Sequence, residues 1–140
     1  MKEHINIPKL VAYVRKCHMG QFRWDGVTPY VSHPVAVAAK FTDLHYQATA
    51  LLHDVIEDCG RCAQDLRNIT MPEDVIEAVR LLTRTKEMNY WDYIISLLDN
   101  EMARKVKIAD IEHNMETVKG EVKRKKYNIA LFILKECPRL

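Results

Sequence analysis

Nine consecutive residues, Ala50-Leu51-Leu52-His53-Asp54-Val55-Ile56-Glu57-Asp58, place one imidazole and three carboxylates within a segment that reads as helix. Glu57 lies four places after His53, and Asp58 four places after Asp54. At about 3.6 residues per turn all four project from one side, and Leu51, Leu52, Val55 and Ile56 project from the other. The polar side is either the solvated face of an amphipathic helix or a metal site. A surface face usually mixes Lys or Arg with its acids, and this one has neither. Three carboxylates on adjacent turns repel one another unless a cation sits among them. A neutral imidazole beside an ionised carboxylate is also a sound ligand pair for a divalent transition metal.

Two further stretches carry polar groups that a plain helix does not need. His33 stands at the helix start Ser32-His33-Pro34. Asp110 sits within Val106-Lys107-Ile108-Ala109-Asp110-Ile111, where burying it is costly without a partner. Two histidines and two aspartates suit Mn²⁺, Fe²⁺ or Zn²⁺, with positions left for water and a phosphate oxygen. Taken alone, a histidine such as His33 is more often a capping or core residue than a ligand. His113, three residues past Asp110, can approach the same side and ranks behind these four. His18 and His45 read as structural or surface residues.

The elements that must position these groups are helices. Four glycines, five prolines and no sustained alternation give an all-α expectation, a compact multi-helix bundle. Asn6-Ile7-Pro8 starts a helix whose Leu10, Val11, Tyr13, Val14 and Cys17 can face inward. Gly20 to Ser32 is the longest stretch without helical period. A second helix follows His33, with Val35, Val37, Ala38 and Phe41 as its apolar set. A third runs from about Tyr46 to Asp58, and a short one spans Ala63 to Asn68. Thr70-Met71-Pro72-Glu73 reads as a capping box ahead of Val75, Ile76, Val79 and Leu82. Asn89 caps the next helix, with Trp91, Ile94, Ile95 and Leu98 inward. Ala103 to His113 and about Lys119 to Glu136 complete the series. In the last helix Ile129, Leu131, Phe132 and Leu134 face the core, and the basic run Lys123 to Lys126 is a solvated face.

Length and charge bound the rest. A chain of 140 residues, 48% hydrophobic, is expected to form a single domain over 1–140. A net charge of +2 argues against a dedicated nucleic-acid partner. No apolar run approaches the roughly 20 residues of a membrane span, and the N-terminus does not read as a signal peptide, so a cytoplasmic location follows by default. Cys59 and Cys62 have a suggestive spacing, but no second pair or nearby ligand set completes a zinc site, and free thiols are expected. Self-association stays open.

The order His…His-Asp…Asp in an all-helical chain is the HD phosphohydrolase pattern, and the flanking residues narrow it. Gln21-Phe22-Arg23, Pro29-Tyr30-Val31-Ser32-His33-Pro34, the nine residues from Ala50 to Asp58, Leu81-Leu82-Thr83-Arg84, Tyr93-Ile94, and Val106 to Asp110 with His113-Asn114-Met115-Glu116-Thr117 stand in family order. From about Val11 to Thr117 the chain resembles the hydrolase domain of the RelA/SpoT stringent-response enzymes and the small alarmone hydrolases. The resemblance implies that His33, His53, Asp54 and Asp110 hold one Mn²⁺ and that Glu57 and Asp58 position or activate the attacking water. It implies that Arg23 packs on guanine and that Asn114 and Thr117 lie near the ribose and 3′ side. The implied reaction removes the 3′-pyrophosphate of ppGpp or pppGpp, giving GDP or GTP. A pyrophosphate also needs cations, and Arg23, Lys107, Arg84 and Lys86 are candidates. No synthetase domain is expected, since the chain ends soon after the last motif.

The departures bear on the substrate. After the Arg the family usually has Lys, and here Trp24 stands instead, a stacking surface in place of a cation. The Trp24–Thr28 loop is one residue longer than the usual bacterial form. Glu116 replaces a common Arg. Two alternatives follow: an HD phosphohydrolase for another nucleotide or phosphorylated cofactor, such as a dNMP or NADPH, and a module that senses a nucleotide without cleaving it.

Overall fold

The α3 helix (Leu44–Leu52) is the element around which the others pack. Its residues 48–52, Ala-Thr-Ala-Leu-Leu, are all buried, so it is covered on all sides at its C-terminal half. A helix apolar all round belongs in a core. The computed structural model describes residues 4–137, and α3 there meets α1 (Ile7–Cys17), α2 (Ser32–Ala38), α6 (Glu73–Leu82) and α8 (Glu101–Met115). The remaining elements are α4 (Val55–Asp58), α5 (Ala63–Asn68), α7 (Tyr90–Ser96) with a 3₁₀ turn at Leu97–Asp99, and α9 (Glu121–Glu136). The described residues contain no strand beyond a single bridge between Phe22 and Pro29. The all-α expectation is met.

Several boundaries follow from local chemistry. The Asn6 side chain accepts from the Lys9 amide, and Pro8 occupies the first turn of α1, where its missing N–H costs nothing. Asn89 caps α7 as expected, through the amides of Trp91 and Asp92. Asp43 and Asn100 do the same for α3 and α8.

The expected helix from Tyr46 to Asp58 is in fact two. It breaks at His53-Asp54, because His53 Nδ1 donates to the Ala50 carbonyl at 2.6 Å. That oxygen would otherwise accept from the Asp54 amide, and a side chain that competes for it ends the helix. Asp54 then opens α4 with φ −107° and ψ −3°, and the Asp58 amide returns to the Asp54 carbonyl at 2.9 Å.

Other expectations need correction. Thr70 forms no capping box: it takes a φ of +59°, its hydroxyl donates to the Ile69 carbonyl, and Pro72 precedes α6 without a side-chain cap. On α7 and the turn after it Ile94 is buried and Trp91 and Leu98 pack on the core as expected, but Ile95 is exposed and Tyr93 and Leu97 are buried instead. Val35 is also exposed, since α2 turns His33, Pro34, Val37 and Ala38 inward. In α9 the buried positions are Ala130 and Leu134, while Ile129 and Phe132 face out. The misassigned helix faces share one cause: these helices meet the core over a narrow stripe, and their apolar residues are spread wider than it. None of the described helices is long and apolar enough to cross a membrane.

The faces of α9 are directly testable. Leu134→Ala should lower unfolding free energy by about 2–5 kcal/mol, the range for a buried Leu, in a urea titration. Phe132→Ala should change it by less than about 1 kcal/mol. Equal effects would mean that the helix docks by another face.

Candidate metal centre and its surroundings

Four helices bring the candidate ligands together. His33 comes from the first turn of α2, His53 and Asp54 from the break between α3 and α4, and Asp110 from the middle of α8. His33, His53 and Asp110 are buried and Asp54 is partly so. His33 Nε2 lies 2.6 Å from Asp110 Oδ1, and His53 Nε2 lies 3.0 Å from Asp54 Oδ2 and 3.4 Å from Asp110 Oδ1. One ligand atom each from His33, His53 and Asp54 falls within a 4.8 Å span. Donor atoms around an ion with bonds of about 2.1 Å stand roughly 3–4 Å apart, so this cluster is close to the needed size.

The donor chemistry fits a cation. His53 gives its Nδ1 proton to Ala50, which leaves the Nε2 lone pair facing two carboxylates. That nitrogen is buried and has no well-aligned hydrogen-bond partner among the described residues. A buried acceptor aimed at two anions is unfavourable unless protonated or bound to a positive ion. With no ion present, burial opposes charge on His53, but Asp54 and Asp110 outweigh it and raise its pKa well above the ordinary histidine value. Burial likewise pushes the Asp110 carboxyl up, and Lys107, His53 and the His33 hydrogen bond outweigh it and hold it well below the usual range. Asp54 follows the same balance, lowered by His53 and by the Tyr30 hydroxyl against burial.

Partners behind the candidate ligands hold them in place. His33 Nδ1 lies 2.7 Å from His113 Nδ1, the arrangement in which a ligating histidine fixes its tautomer through its other nitrogen. Tyr30 donates to Asp54 Oδ2 at 2.6 Å. Lys107 Nζ lies 2.9 Å from Asp110 Oδ2 and 5.2 Å from the centre of the Tyr93 ring. Lys107, a candidate for pyrophosphate, is thus already paired with Asp110, and its side chain is only 16% exposed.

The other candidates border this cluster. Glu57 is exposed and accepts the Arg84 amide at 2.8 Å. Asp58 is pushed up to about 6 by burial first, then by Asp54 and Glu57. Arg23 reaches Asn114 Oδ1 at 3.2 Å, and Asn114 in turn reaches Asp110 Oδ1 at 3.3 Å. Trp24 Nε1 donates to the Thr117 hydroxyl at 2.9 Å. The loop carrying Arg23 and Trp24 is a tight hairpin: Arg23 pairs with Thr28, and Asp25 accepts from the amides of Val27 and Thr28 and from the Thr28 hydroxyl.

Sequence reasoning passed over four contributors. Tyr30 was quoted only within a motif, although its place three residues before His33 was a signal. Tyr90 had none. Lys123 and Lys126 do not simply face solvent: Lys123 Nζ stands 4.4 Å from the Trp24 ring centre and Lys126 Nζ 3.9 Å from that of Tyr90. The four cysteines are free, as expected.

A model of the HD domain family matches residues 11–131. The chain belongs to the HD domain family. Among curated proteins, this HD domain is similar to the GTP pyrophosphokinase rsh of Brucella suis biovar 1 (strain 1330), 33% identical over 137 residues, covering 87% of this chain and 18% of that protein. It is 34% identical over 118 residues to the guanosine-3′,5′-bis(diphosphate) 3′-pyrophosphohydrolase of Haemophilus influenzae, covering 74% of this chain and 17% of that one. The bifunctional (p)ppGpp synthase/hydrolase SpoT of Escherichia coli K12 matches to the same extent. The chain therefore spans less than a fifth of the length of these relatives. Its fold is that of a solved metazoan ortholog of SpoT, described as hydrolysing ppGpp and acting in starvation responses. The TM-score is 0.75 at 24% identity, covering 96% of this chain and 85% of that one.

Two outcomes are expected. A divalent ion such as Mn²⁺ should bind in calorimetry, and His113→Phe should weaken it by about 10–100-fold, the usual effect of losing a partner behind a ligating histidine. Unchanged affinity would remove His113 from the site. The second concerns Asp25, which its hydrogen bonds to Thr28 and Val27 pull down to about 2. A depressed carboxyl adds stability above its unfolded pKa of about 3.9 and loses it as pH falls through the folded value. The melting-temperature gap between the parent protein and Asp25→Asn should be widest near pH 5 and close towards pH 2.

Proposed function

We propose that this HD domain is a metal-dependent nucleotide phosphohydrolase that removes the 3′-pyrophosphate of ppGpp or pppGpp. The observation that carries the reading is the convergence of His33, His53, Asp54 and Asp110 around the unpartnered His53 Nε2, with Glu57 and Asp58 beside it. The activities for which the similar Haemophilus and Escherichia proteins and the metazoan protein are named support the choice of substrate.

In this reading the four ligands hold one Mn²⁺, which supplies Lewis acidity to a phosphoryl oxygen and to water. The chain's own groups do the rest. Asp58, with a pKa near 6, accepts a proton from the attacking water near neutral pH. Glu57, anchored to the Arg84 amide, holds that water in place. Water adds to phosphorus, the bond to the 3′ oxygen breaks, that oxygen takes up the proton Asp58 accepted, and pyrophosphate leaves with GDP or GTP as the other product. Arg23 stacks on the base, and Asn114 and Thr117 face the ribose. His113 and Tyr30 keep the ligands oriented. A single domain over 1–140 and a cytoplasmic location belong to the same proposal.

Trp24 favours a second reading. It fills the position where a cation is usual and bonds to Thr117. The same chemistry on another phosphorylated nucleotide would suit a less cationic, more aromatic mouth.

Protein incubated with Mn²⁺ and separately with ppGpp, pppGpp, dNMPs and NADPH decides between the two. Release of pyrophosphate from ppGpp or pppGpp is expected, with Asp58→Asn reduced by about 10²–10⁴-fold. Turnover of only the dNMPs or NADPH would favour the second reading. Turnover of none would contradict both.

A further inference from the structure

Several cations near the candidate ligands have no acidic partner. Among the described residues, Lys107 pairs with Asp110, but Arg23, Arg84, Lys123 and Lys126 make no ion pair within 4 Å. Two of these four share one aromatic ring. Lys126 Nζ stands 3.9 Å and Arg84 Cζ 5.5 Å from the centre of Tyr90. A ring face attracts cations but does not neutralise them, so the pair remains a concentrated positive site. Burial and then the charges of Arg84, Lys123 and Lys107 push the Lys126 pKa down, the signature of ammonium crowded by other cations.

The place of the pair is informative. The Arg84 amide holds Glu57, and Tyr90 contacts Tyr93, over whose ring sits Lys107, the partner of Asp110. The backbone of Arg84 thus touches a candidate catalytic carboxylate, and Tyr90 links the two cations to the Tyr93 and Lys107 side of Asp110. The Tyr90 hydroxyl and His53 Nε2 are the two buried polar side-chain atoms without a hydrogen-bond partner among the described residues, and both belong to this region. An anion with several oxygens contacting both Lys126 and Arg84 would relieve the crowding; Arg84 Nε donates to the Met88 carbonyl at 3.1 Å, and its terminal nitrogens supply donors that suit phosphate oxygens.

We propose that Lys126 and Arg84, held against the Tyr90 ring, form a subsite for the departing pyrophosphate. The identity of the anion rests on the hydrolase reading above; the subsite rests on this geometry. It makes α9 part of the site rather than a solvated support, since Lys123, one turn earlier, stands over Trp24 at the nucleoside end.

The test is calorimetric titration of inorganic pyrophosphate into the metal-loaded protein at one fixed free Mn²⁺ concentration. Lys126→Gln and Arg84→Gln should each weaken pyrophosphate by about tenfold or more. Mn²⁺ affinity and melting temperature should stay unchanged, and Lys126→Arg should restore most of the loss. Tyr90→Leu should weaken pyrophosphate in the same direction, whereas Lys125→Gln, at an exposed position, should not. Pyrophosphate affinity that ignores Lys126 and Arg84, or a parent protein that does not bind it, would overturn the proposal. Because binding is read without turnover, residue-dependent pyrophosphate binding in a protein inactive on ppGpp would uphold the subsite and reject the hydrolase reading.

Discussion

Two aspartates, Asp54 and Asp110, point their oxygens at the same buried imidazole nitrogen, and most of the cleft is arranged around that juxtaposition. His53 Nε2 has its lone pair turned inward because Nδ1 is committed to the Ala50 carbonyl. Carboxylates and a lone pair at such distances need positive charge. Lys107 supplies one unit from the far side of Asp110, and Tyr30 supplies a hydrogen bond to Asp54. A proton on Nε2 or a divalent ion among the candidate ligands would supply the rest.

The same hydrogen bond shapes the fold. By occupying the Ala50 carbonyl, His53 ends α3 and lets α4 begin at Asp54, so one side-chain choice sets both the tautomer and the local path of the chain. Glu57 and Asp58 follow on a short separate helix, tied to the ends of other elements. Glu57 accepts from Arg84 just past α6, and the Asp58 carbonyl accepts from Gln21 just past α1. Catalytic candidates are thus fixed by loops that the buried α3 holds in register. Stability and site geometry share that core, with Leu51 and Leu52 buried immediately before His53.

Much of this was legible in the residues. Helix order and the Asn6 and Asn89 caps followed from period and capping chemistry; the convergence of His33, His53, Asp54 and Asp110 followed from polar groups in apolar runs only once the family resemblance joined them. The helix break was not legible, because a continuous 3.6-residue pattern runs through it and the competing bond depends on a rotamer. Nor were the exposed Ile95, Ile129 and Phe132, whose burial depends on which stripe of each helix finds a neighbour. The roles of Lys107 and Lys126 required tertiary contacts. One lysine of a motif turned inward to Asp110, and one of a basic run turned onto Tyr90. A charge pattern along a chain does not report which aromatic ring lies opposite.

The central claim is that this juxtaposition is a metal site. Anomalous diffraction from crystals grown with Mn²⁺ tests it directly. The account predicts one strong peak at bonding distance, roughly 2.0–2.3 Å, from His33, His53 Nε2, Asp54 and Asp110. No peak beside His53 Nε2, or a peak only elsewhere on the surface, would contradict it.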